Sequence, residues 1–151
     1  MNTLAMKKIG CCLSLAVLLG ACDVHVGYYE KDWKTADAAA DVFHQYWTQG
    51  QFSAMYAMSG ELLRQHQTER DFIQAAEQAM QIYGPIKESH QLRAACVLNQ
   101  VRLVYQTDFR NGKASERMLW QVRDDKAELL SYEIVPGEVD ASTLPDSSCS
   151  K

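Results

Sequence analysis

Hydrophobic positions keep a helical spacing through the first half of the chain and an alternating one afterwards. Ala36, Ala39, Ala40, Phe43 and Trp47 fall at i, i+3, i+4 and i+7 intervals. That spacing gathers them on one stripe and predicts a first helix with Thr35 as N-cap and Gly50 as stop. Phe52, Met55, Tyr56 and Leu62 or Leu63 predict a second, shorter helix reaching about Arg64, with Gly60 as an interruption. The third helix is the best marked. Thr68 with Asp71 three residues on resembles a capping box, Phe72, Ala75, Ala76, Ala79, Ile82 and Tyr83 supply the stripe, and Gly84-Pro85 ends it.

Past Pro85 the pattern becomes one of alternation. Val101, Leu103, Tyr105, Thr107 and Phe109 alternate with Arg102, Val104, Gln106 and Asp108, which predicts a strand with one buried and one wetter face. An earlier strand is expected across Ile86 to Leu98, with a bend near Asn99. Arg110-Asn111-Gly112-Lys113 carries an Asn-Gly pair, a hairpin signal because both positions tolerate positive φ. The return strand is Ser115 to Arg123, with Glu116, Met118, Trp120 and Val122 on one face. Asp124-Asp125-Lys126 turns again, and Leu129 to Val135 forms the last strand, ending at Pro136-Gly137. The tail, Glu138 to Lys151, is rich in Ser and Asp and reads as loose. Three helices followed by an antiparallel meander give an α+β layer arrangement, with the N-terminal helices packed on one face of a curved sheet.

Composition fits one globular domain: 151 residues, 47% hydrophobic and 23% charged. The formal net charge of −4 supplies no basic field, which excludes nucleic acid as the partner.

The N-terminal segment has a different character. Lys7 and Lys8 precede a short apolar run, Ile9 to Leu19, and small residues Gly20-Ala21 follow it. This is the layout of a signal peptide, and Ile9 to Ala21 falls well short of the roughly 20 residues that cross a bilayer as a helix. Leu19-Gly20-Ala21-Cys22 resembles the lipobox of bacterial lipoproteins. The resemblance implies cleavage before Cys22, a thioether-linked diacylglycerol on its sulfur, and acylation of its freed amine, palmitate being a typical chain. Several acyl chains together make a lasting anchor where one alone holds weakly. Met6-Lys7-Lys8 resembles a signal-peptide opening, so Met1 and Met6 are both candidate starts. Asp23 resembles the signal that retains lipoproteins in the inner membrane of enterobacteria-like systems. The alternative is the outer membrane, with Asp23 as linker polarity. Loss of Lys7 and Lys8 takes 15 basic residues to 13 against 19 acidic ones, so the mature chain carries −6.

On this reading residues 1–21 are signal peptide, 22–34 a lipidated cysteine and tether, 35–136 the domain, and 137–151 the tail. His25, near Glu30 and Asp32, could ligate a metal only if the tether folded back, and a solvated linker needs no such fold. No metal or cofactor is expected. Cys11 and Cys12 leave with the signal peptide and Cys22 carries lipid, so Cys96 and Cys149 remain in an oxidising compartment. Either they pair, or Cys96 is a small core hydrophobe and Cys149 is free.

The order of elements resembles the NTF2-like or cystatin-like cone, in particular small bacterial envelope proteins of uncharacterised function. The residues carrying this are Trp47-Thr48-Gln49-Gly50-Gln51-Phe52, Phe72 to Gly84-Pro85, and Val104-Tyr105-Gln106-Thr107-Asp108-Phe109. The resemblance implies a curled sheet capped by helices around a cavity, used by some members for catalysis and by many only for binding. Trp47, Tyr105 and Trp120 are the candidate cavity-lining residues, and each also fits a plain core role.

HExxH, GxSxG, P-loop and EF-hand signatures are absent. Asp41, Asp108 and Glu116 with Tyr46, Tyr105 or Tyr132 would allow a proton-transfer site, and His44 or His90 could join it. No catalytic residue is assigned, because any strand-rich domain with as many polar residues offers as good a set. The expected role is that of a membrane-anchored periplasmic binding or accessory module for a protein or small ligand. Its alternatives are an inhibitor or immunity lipoprotein acting on an envelope enzyme, and a small isomerase or hydrolase using the cone. A dry cavity with two or more converging titratable groups would favour the enzyme, and a filled cone with an exposed apolar patch would favour a partner.

Overall fold

The computed structural model describes residues 29–149. Cys22, Asp23, His25 and the signal segment lie outside the described residues. Four helices, α1 (Tyr29–Thr48), α2 (Phe52–Ala57), α3 (Glu61–His66) and α4 (Glu69–Tyr83), precede four strands. The strands β1 (Ile86–Val97), β2 (Gln100–Phe109), β3 (Gly112–Arg123) and β4 (Lys126–Pro136) form one open antiparallel sheet in the order β1-β2-β3-β4. Helix α1 lies across the inner face of this sheet and touches all four strands. Its stripe of Ala36, Ala40, Phe43 and Trp47 is fully buried there against Val101, Leu103, Met118, Trp120 and Leu129. None of the described helices is long and apolar enough to cross a membrane.

Helix α1 is already helical at Tyr29, so Thr35 lies inside it and is not its N-cap, and residues 29–34 are not tether. The Thr35 hydroxyl donates to the Lys31 carbonyl, one turn back inside the helix. The mixed charge of Glu30-Lys31-Asp32 hides an apolar stripe that continues backwards through Trp33 and Tyr29, both packed on the core. Trp33 Nε1 also donates to Gln91 Oε1 on β1 at 3.1 Å.

The second predicted helix divides into α2 and α3 around Met58–Gly60. There the chain docks on β4: Leu129 N donates to Met58 O and Gly60 N to Leu129 O, each at 2.8 Å. A Cβ at Gly60 would stand 3.1 Å from Glu128 Cβ, so glycine lets the two backbones approach. Thr68 caps α4, its Oγ1 accepting from Asp71 N. Gly84, at φ +75°, ends that helix.

The Asn-Gly hairpin forms without the positive φ expected of it. Its two-residue loop is Arg110-Asn111, Phe109 pairs with Gly112, and neither Asn111 nor Gly112 has positive φ. Tertiary contacts set this turn: Arg110 N donates to Pro85 O and Asn111 N to Tyr83 O, both at 2.9 Å, tying it to the end of α4. The paired positive φ angles occur instead at Asp124 (+49°) and Asp125 (+61°), between β3 and β4. Aspartate tolerates that region better than most residues because its short side chain can bond locally.

As far as Cys149 the tail is not loose. After β4 it crosses the outer face of the sheet, where Val139 N donates to Gln106 Oε1 on β2 and Arg93 Nη2 on β1 donates to Ala141 O. It then runs along the free edge of β1. Ser148 N donates to Ala94 O at 3.0 Å, and the hydroxyls of Ser147 and Ser148 accept from Ala94 N and Cys96 N. Cys149 closes the path with a disulfide to Cys96, Cα to Cα 5.0 Å. The serines that make the tail read as loose supply the edge with hydrogen-bond partners and so cover a strand edge.

Candidate functional site

The residues with most chemical potential converge inside the domain, between α1 and the inner sheet face. Alternation places Tyr105, Thr107 and Glu116 on that face, with Tyr105 directly opposite Glu116 across the β2–β3 ladder. Glu116 is 0% exposed. Tyr132 on β4 donates its hydroxyl to Glu116 Oε1 at 2.6 Å, and Thr107 Oγ1 donates to Oε2. Thr107 is in turn 2.8 Å from Ser89 Oγ on β1. From α1, His44 places Nε2 3.2 Å from Glu116 Oε2, although its N–H is not aligned on that oxygen. The contact is an ion pair whenever the imidazole carries its proton.

Burial alone would push the Glu116 carboxyl up. His44, Thr107 and Tyr132 outweigh it and hold the carboxyl below the ordinary glutamate value. Burial and the adjacent Glu116 charge raise Tyr132 well above a free phenol. Tyr105 is raised too, first by burial and then by Asp37, to whose Oδ1 it donates at 2.8 Å. The cluster therefore holds an ionised acid fed by neutral hydroxyl donors. Such a set can fix a carboxylate in place, but an acid that needs a raised value to give up a proton near neutrality is tuned the other way.

The remaining sequence candidates scatter. Asp41 is exposed on α1, Asp108 faces outward 3.6 Å from Lys113 Nζ, and exposed His90 lies 3.2 Å from Glu88. Tyr46 is partly buried against the core. Asp37, one turn before Asp41 on the same face of α1, is the carboxylate that meets Tyr105. Its i, i+4 relation to Asp41 is the signal that could have found it. Among the described residues no three His, Cys, Asp or Glu side chains converge as a metal-ligand set. Glu30 instead holds Lys34 at 2.6 Å.

Of the aromatic candidates, Trp120 and Tyr105 are core. Trp47 is buried as well, its Nε1 donating to Gly84 O at 3.0 Å, and it backs a cavity of about 260 Å³ between α4 and β4. Gln67, Phe72, Tyr83, Tyr132, Ile134 and the alanines of α4 complete the lining, which is mostly apolar. Several larger hollows lie on the surface. One is an open groove of about 1060 Å³ along α1, floored by Ala38, Ala39, Val42 and Met58 and bordered by the 2.6 Å Lys31–Asp125 bridge. Another, about 360 Å³, lies on the outer sheet face beneath the tail. No family model, no curated protein and no solved structure matches this chain.

Proposed function

We propose that the chain is an exported lipoprotein of the bacterial envelope, anchored by acylation of Cys22 and facing the periplasm. Its α+β domain is a variant of the NTF2-like cone, and it binds a protein or small ligand there without transforming it. The enclosure of Glu116 carries this reading. The acid that an isomerase or hydrolase would need is sealed by side chains from α1, β2 and β4, and its ionised form is favoured. The accessible hollows lie elsewhere, on the surface and beside α4. The Cys96–Cys149 bridge supports export, because such bonds persist in oxidising compartments and are rare in a reducing cytosol.

Two measurements in cells test the proposal. The wild-type protein is expected to sediment with membranes and to incorporate an alkyne-bearing palmitate, and Cys22→Ser to do neither. Equal behaviour of the two would sink the anchor. Photocrosslinking in intact envelopes is expected to trap the same adducts on wild-type protein and on Glu116→Gln. Adducts lost in that variant while its fold persists would return the interior acid to a direct role.

A further inference from the structure

The outer face of the sheet carries a charge pattern that neither the fold nor the anchor requires. Arg93 on β1, Arg102 on β2 and Arg117 on β3 point outward on two adjacent cross-strand rows: Arg93 and Arg117 flank Val104, while Arg102 lies between Ala95 and Leu119. All three guanidinium-bearing residues line the 360 Å³ pocket, and Glu133 is its one carboxylate. This concentrates positive charge in a chain whose formal net charge is −4. Val104 forms the floor and is only 6% exposed, and Leu144 and Pro145 of the tail form a wall.

The arginines are only partly neutralised. Arg93 gives Nη1 to its neighbour Leu92 O at 2.8 Å and Nη2 to Ala141 O at 2.9 Å, while its Nε is buried without an acceptor among the described residues. Arg117 Nη1 is 3.6 Å from Glu133 Oε2, beyond hydrogen-bond length. Arg102 is exposed and makes no ion pair among the described residues. A buried N–H without an acceptor is costly, and guanidinium groups match the oxygens of carboxylate and phosphate in geometry.

We propose that this pocket binds a small organic oxyanion, a carboxylate or phosphate head on an apolar body. The head meets Arg93, Arg102 and Arg117, and the body rests on Val104 and Leu119 against Leu144. A cavity of about 150 Å³ holds a benzene ring, so 360 Å³ accepts a ring or short chain together with its charged head. The tail wall is held at its far end by the Cys96–Cys149 bridge, so the intact disulfide keeps the pocket in shape. The inference extends the binding role but needs neither the lipid nor the periplasm, and its failure would leave the anchor proposal untouched.

The test is a titration of the full chain at low salt with phenyl phosphate, benzoate, inorganic phosphate and phenol, followed by calorimetry and by the amide resonances of β2 and β3. Phenyl phosphate or benzoate is expected to bind at least tenfold more tightly than both phenol and inorganic phosphate, and whichever of the two binds better identifies the head group. Arg102→Gln is expected to weaken that binding about tenfold, the loss of one charge-assisted contact, while Arg102→Lys recovers part of it. Arg102 is exposed and outside the core, so unfolding curves of these variants should overlay the wild type. Phenol binding as well as the anions, shifts confined to residues away from the pocket, or full affinity in a folded Arg102→Gln would each overturn the proposal.

Discussion

Replacing Glu116 by Gln tests whether the interior cluster is held by charge. The substitution keeps shape and one carbonyl acceptor but removes the negative charge toward which Thr107, Tyr132 and His44 converge. Hydrogen bonds to a charged acceptor are each worth about 1 kcal/mol more than neutral ones, and two are made here. The new amide N–H₂ also enters a site arranged to donate, which adds about 1–3 kcal/mol for an unmatched donor. A loss of about 3–5 kcal/mol follows, a large share of the roughly 5–15 kcal/mol that stabilises an ordinary domain. In melting temperature that is roughly 10–20 °C for a domain of this size.

The pH dependence has a defined sign. Because the folded-state value of Glu116 is lowered, the unfolded chain takes up this proton first as pH falls. The contribution is complete above the unfolded value of about 4.3 and is lost as pH drops through the folded one. The stability gap between wild type and Glu116→Gln should therefore be full at pH 7 and narrower at pH 3.5. Urea unfolding followed by fluorescence reads it directly, since Trp47 and Trp120 lie in the same core. Equal stability at pH 7, or a gap of the same size at both pH values, would refute the charge-based account.

Reduction of Cys96–Cys149, or Cys149→Ala, should cost about 4 kcal/mol by the loop-entropy relation for a separation of 53 residues, read as a lower urea midpoint under reducing conditions. The same change frees the far end of the tail, so amide exchange at Ser148 and along the outer edge of β1 should quicken. The anchor test on Cys22 and the oxyanion titration complete the set.

The helices and the meander were legible because their signals are local and repeated. The stripe of α4, its Thr68 cap and the β2 alternation each recur over several turns or residues, and a burial pattern of that length specifies one face. Three features were not legible, each for its own reason. The start of α1 is masked because Glu30, Lys31 and Asp32 stand between Tyr29 and Trp33, and only the packing of both rings shows the stripe running back. The geometry of the Arg110-Asn111 loop is set by acceptors at Tyr83 and Pro85, distant in sequence. The tail is held by backbone groups, serine hydroxyls and one covalent bond, none of which leaves an apolar period behind it. The site divides in the same way. Glu116 on an inward register was readable from alternation, whereas its partners on α1, β2 and β4, and the convergence of three arginines from three strands, require the register itself.

The sealed position of Glu116 gives the acid a structural role that explains its presence in a core that hydrophobic packing could otherwise fill. One carboxylate is contacted from three elements, and each contact fixes a choice. Thr107 fixes the pairing of β2 with β3, Tyr132 fixes that of β3 with β4, and His44 fixes the rotation of α1 on the sheet. A one-residue slip of β3 would turn Glu116 outward and carry Arg117 into the core, so the cluster penalises that slip more sharply than an apolar residue would. Glu116→Leu combined with Thr107→Val and Tyr132→Phe separates this role from bulk stability, because it removes the donors along with their acceptor. Replacing a buried charged group together with its hydrogen-bond partners by apolar side chains can be neutral or stabilising overall, even while specificity is lost, whereas Glu116→Leu alone strands the donors and destabilises. The triple variant should therefore keep a cooperative melt yet show more than one set of amide resonances for β3 and for the α1 turn around His44, where wild-type protein shows one. A single sharp set in this variant would mean that packing alone selects the register.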